Sequence, residues 1–74
     1  MARLVRLDST GHTELAHWSG EDAEAHEAAV AAFRRELDRG MIGSMTLPDG
    51  SAEVIRELPA DAELVVMRRP IAGG

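Results

Sequence analysis

Only one stretch of the chain repeats with the period of a helix, "WSGEDAEAHEAAVAAFRRELDRG", and that limits the possible folds more than any other feature. His26, Val30, Phe33 and Leu37 fall at i, i+4, i+7 and i+11 with Ala29 beside them, so one apolar stripe faces a core. Ser19 is placed to cap this helix, Asp22 three residues later to close a capping box, and Trp18 and Ala23 to staple the entry. Gly40 ends it. Acidic residues crowd the first turns, while Arg34, Arg35 and Arg39 sit in the last, as the helix dipole favours. Glu24, Glu27, Arg34, Arg35 and Asp38 form its solvated face.

The remaining segments read as strands. "ARLVRLD" and "TELAHW" flank "STGH", where Gly11 supplies the backbone freedom of a turn. "MIGSMTLPDGSAEVIREL" is a hairpin about Asp49-Gly50, with Pro48 at the turn. "ELVVMR" is the most apolar strand and is therefore expected at the centre of a sheet. The order is ββαβββ, an α+β chain in which one helix can cover one sheet face and leaves the other open as a binding surface. Met45 and Met67 are expected to fill gaps in the core.

With 74 residues there is room for one domain, and at this size a core rarely supplies more than roughly 3–5 kcal/mol of net stability. Residues 1–69 are read as that domain and residues 70–74 as a flexible tail. The absence of cysteine removes disulfides, thiolate nucleophiles and cysteine-ligated zinc, and suits a cytoplasmic location. No apolar run approaches the ~20 residues that span a bilayer, so no membrane partner is expected. The charge is −5, every basic residue is Arg, and the aromatics are one Trp and one Phe. Such a chain lacks the basic stripe and stacking platform of a nucleic-acid binder, and its acidity suits a basic protein partner.

No catalytic constellation stands out, and the chain is not read as an enzyme. Asp8, Ser9 and His12 lie together in a turn, whereas triad members converge from separate elements around a pocket. His12, His17 and His26 have no i, i+4 partner, so no metal or other cofactor is implied.

The distinctive signal is the ending "LPADAELVVMRRPIAGG". It resembles the ending of the sulfur carriers of the MoaD/ThiS family, in which an acidic turn and a central apolar strand lead to proline, an aliphatic residue, a small residue and Gly-Gly. Pro70, Ile71, Ala72, Gly73 and Gly74 match it position by position, while Arg68 and Arg69 are closer to the arginines before the di-glycine of ubiquitin. The resemblance implies the ubiquitin-like β-grasp fold, a mixed sheet of order 2-1-5-3-4 with the helix across one face. It further implies a carrier, monomeric when free, whose terminal Gly74 carboxylate is adenylated by a separate ubiquitin-activating-type enzyme. That end would then become a thiocarboxylate for a sulfur acceptor, or be conjugated to a target. A JAB-type protease is a further partner of such proteins.

In that chemistry two glycines let the end thread into an active site, Pro70 stiffens the base of the tail, and Arg68 to Ala72 dock on the partner. The rival reading from another class is a protein-interaction module that uses the open sheet face and never activates its tail.

Overall fold

The computed structural model describes residues 1–70. Five strands and one helix follow one another as β1 (Ala2–Asp8), β2 (Gly11–Trp18), α1 (Ala23–Asp38), β3 (Ile42–Thr46), β4 (Ala52–Ile55) and β5 (Leu64–Arg68). The strands form one mixed sheet in the order β2-β1-β5-β3-β4, giving an α+β arrangement compatible with a β-grasp. β5 is central, parallel to β1 and antiparallel to β3. The apolar run "LVVM" therefore occupies the position that is covered by a strand on either side.

Turn chemistry accounts for the two hairpins. Asp8 accepts from the amide and hydroxyl of Thr10, and Gly11 adopts a φ of 116° that restarts the chain as β2. Between β3 and β4, Asp49 plays the same part toward Ser51 and Gly50 takes a φ of 88°. Leu47 and Ser51 close the loop by a backbone hydrogen bond of 2.8 Å.

The helix starts later than the cap signals suggested. Asp22, not Ser19, is the N-cap, with a carboxylate that accepts from the Ala25 amide at 3.0 Å. Ser19 instead closes a turn through its carbonyl and the Asp22 amide. With the cap moved to Asp22, the position four residues on is His26, and Trp18 packs against its imidazole with ring centroids 5.7 Å apart. The indole N–H of Trp18 donates to the Ala60 carbonyl and ties the end of β2 to the loop before β5.

The buried stripe is also rotated relative to the apolar pattern. Ala29, Ala32, Phe33 and Glu36 are its most buried members, while His26, Val30 and Leu37 lie half-buried at its flanks. Small alanines, rather than the larger aliphatics, face the sheet because the helix sits close to it. The core joins Leu4, Trp18, Phe33, Leu58, Val65 and Met67, with Met45 packed against it.

One close approach sets the spacing of helix and sheet. A methyl group at Gly43 would lie 2.6 Å from Cε1 of Phe33 and 3.2 Å from the Met67 sulfur. The ring thus rests on the bare backbone of β3. Gly43→Ala should destabilise by about 1–3 kcal/mol through overpacking, and Phe33→Leu in that background should recover part of the loss, both read from chemical denaturation. At the helix start, Asp22→Ala should cost about 1 kcal/mol and Ser19→Ala about 0.5 kcal/mol or less. Equal losses would contradict the placement of the cap.

Candidate functional site: the root of the tail

Side chains alternate along β5, and this decides where each residue near the tail points. Val65 and Met67 are buried beneath the helix, and Leu64 and Val66 lie half-buried on the opposite face. Continuing the alternation sends Arg68, which pairs with Ile42 across to β3, to the open face. Arg69 returns to the helix side, where it lines a small cavity of about 170 Å³ with Arg6, Asp8, Glu36, Arg39 and Met41. The two arginines that the sequence presents as a doublet are thus divided between two faces. Pro70 is exposed and is the last described residue; Ile71, Ala72, Gly73 and Gly74 lie outside the described residues.

The cavity beside Arg69 is organised by a buried carboxylate that the sequence pattern did not flag. Glu36 is 3% exposed and receives both Nε and Nη2 of Arg6, the latter at 3.1 Å, together with Nη1 of Arg39 at 3.3 Å. Hydrogen bonds from Arg6 hold its carboxyl below the ordinary glutamate range against the opposing effect of burial, with the charges of Arg6 and Arg39 adding to the fall. Arg6 reaches it because residues of β1 alternate, with Leu4 and Arg6 on the helix side. The only hint in sequence was Glu36 standing three residues after Phe33 on the same stripe.

Asp8, on the same rim, is also held below its ordinary range. The hydroxyl and amide of Thr10 are the chief cause, and the positive charges of Arg6 and Arg69 contribute. Its carboxylate is therefore engaged in the turn rather than in an arrangement with Ser9 and His12. His17 lies 3.5 Å from Glu14, and His26 Nε2 lies 3.1 Å from the Leu58 carbonyl. No group of three potential ligands is placed to hold a metal ion among the described residues, and no helix is long and apolar enough to cross a membrane.

On the open face, strand registers align Val54, Ser44, Val66, Val5 and Glu14 in a row across the sheet. On this face Leu7 and Val54 are 45% and 64% exposed, Val66 is half-buried, Val5 is 6% exposed, and Arg68 stands at the margin. The site is therefore two-sided, with an apolar face carrying Arg68 and a polar cavity carrying Arg69. No protein-family model, curated protein or solved structure matches the chain.

The depressed carboxyl of Glu36 sets the sign of a pH effect. Its stabilisation is fully present above the unfolded glutamate value and is lost as pH falls through the lower folded one. Glu36→Gln should lower stability at neutral pH by about 1–2 kcal/mol. The gap between parent and variant should narrow below about pH 4, as measured by denaturation at a series of pH values. A gap that stays constant to lower pH would show that Glu36 acts by shape alone.

Proposed function

We propose that the chain is a β-grasp carrier protein whose terminal Gly74 carboxylate is activated by a partner adenylating enzyme and converted to a thiocarboxylate, with conjugation to a target as the near variant. The observation that carries the reading is the sequence P-I-A-G-G, which begins one residue after the end of a central strand. A five-stranded mixed sheet of order 2-1-5-3-4, with β5 between β1 and β3, is compatible with the fold that presents such tails and supports the reading.

The chemistry asks little of the carrier. The carboxylate of Gly74 attacks the α-phosphorus of ATP and pyrophosphate departs, leaving an acyl-adenylate. A hydrosulfide equivalent then adds to the acyl carbon and AMP leaves, so that a C–S bond replaces a C–O bond with no net oxidation. General acids and bases belong to the enzyme. The carrier supplies an end that can enter an active site, and a body that the enzyme can grip near Arg68 and Arg69.

A second reading rests on Leu7 and Val54, two large apolar side chains exposed on the open face. In it the open face is a protein-interaction surface and the tail is chemically idle.

Protein ending at Gly74, incubated with ATP, a sulfide donor and a cognate ubiquitin-activating-type enzyme, should gain the mass difference of sulfur for oxygen or form a conjugate. Deletion of Gly74, or extension beyond it, should abolish the reaction without changing the fold. Arg68→Ala should weaken the encounter by an amount that shrinks as salt rises. If partners bind full-length and truncated protein alike, and no adenylate, thiocarboxylate or conjugate forms, the interaction-module reading replaces the carrier.

A further inference from the structure

At the end of β5 remote from the tail, the β3–β4 turn and the loop before β5 enclose a cavity of about 480 Å³. Met45, Leu47, Pro48 and Leu64 supply its apolar wall, and Asp61 and Glu63 its rim. The size falls within the roughly 300–1,000 Å³ of sites that take small molecules or anchoring side chains. No basic side chain lines it. The two carboxylates are exposed and form no ion pair among the described residues.

Both walls are fixed by the backbone. Ala62 is buried between the two acids, so its neighbours are turned outward together. The Glu63 carbonyl accepts from the Arg3 amide at 2.9 Å, which fastens the loop to β1. Across the opening, the Leu47 amide donates to Ser51 and the Gly50 amide to Leu47, which holds the turn closed. The cavity is thus already shaped in the free protein, which lowers the ordering cost of binding.

We propose that this cavity is a docking site for an extended segment of a partner protein that carries an arginine or lysine next to an aliphatic side chain. The aliphatic group fills the wall of Met45, Leu47, Pro48 and Leu64, and the cation lies between Asp61 and Glu63. Charge complementarity selects this occupant: the rim bears two negative charges, neither in an ion pair among the described residues and with no basic side chain in the lining, on a chain of net charge −5. The four residue steps of β5 from Leu64, which lines the cavity, to Arg68 span about 13 Å, so a segment held here leaves Arg68 uncovered. This second site stands or falls independently of any tail chemistry.

The test is an NMR titration of isotope-labelled protein with the peptide acetyl-Leu-Arg-Leu-Arg-amide. Amide shifts should concentrate at residues 45–48 and 61–64, with a dissociation constant no weaker than roughly millimolar. Asp61→Asn with Glu63→Gln, both exposed positions, should leave the rest of the spectrum unchanged. Affinity should fall about three- to tenfold, and most of its salt dependence should disappear. A matched peptide with glutamate for arginine should not bind. The proposal is overturned if no shifts arise at roughly millimolar peptide, if they map to the open face, or if the acidic peptide or the double variant binds as well.

Discussion

The contact between the Phe33 ring and the backbone of Gly43 governs the rest of the structure. With one helix and one sheet there is a single interface in which to exclude water, and its thickness is decided where the largest helix side chain meets the sheet. Because Gly43 has no side chain, the helix approaches closely enough for Ala29 and Ala32 to fill the interface beside Phe33. Met67 completes the contact from β5, which places the central strand beneath the ring.

That close approach also accounts for Glu36. A helix seated near the sheet brings Glu36, close to its end, within reach of the helix-facing side of β1, where the Arg6 side chain stays 29% exposed. Arg6 meets Glu36 through two donors, a geometry in which a planar guanidinium suits a carboxylate. A buried carboxylate alone would be costly, so the pair fixes where helix and sheet lie along each other as much as it adds stability. Arg39 adds a third donor, and Asp8 and Arg69 share the same rim. The charge arrangement that orders the core therefore extends to Arg69, just beyond the end of β5.

The two ends of β5 have different surface chemistry. Arg68 and Arg69 make one end cationic, while the Asp61 and Glu63 carboxylates make the other anionic around an apolar hollow. A central strand has no free edge, so β5 reaches the surface at its two ends and through the half-buried Leu64 and Val66 on the open face. A partner gripping one end need not obstruct the other.

Much of this was written locally in the chain. Helical period over residues 23–38, Gly40 at the helix end, Gly11 and Asp49-Gly50 in the turns, and the apolar "LVVM" each depend on neighbours in sequence, and they determined the element order and the central place of β5. The cap escaped because Ser19 and Asp22 both satisfy the local signal, and packing of Trp18 on His26 and on the Ala60 carbonyl chose between them. Rotation of the buried stripe toward Ala29, Ala32 and Glu36 depended on the space above Gly43, ten residues beyond Phe33. Pairing of Arg6 with Glu36 joins positions 30 residues apart, and the parting of Arg68 from Arg69 needs the pleat of β5 in register with Ile42. The cavity by Asp61 and Glu63 exists only where a turn and a loop meet. Patterns short enough to be carried by bond geometry and side-chain spacing were thus determined by the sequence itself; whatever required two distant surfaces to touch was decided by the tertiary structure, because contact distance between them is set by packing.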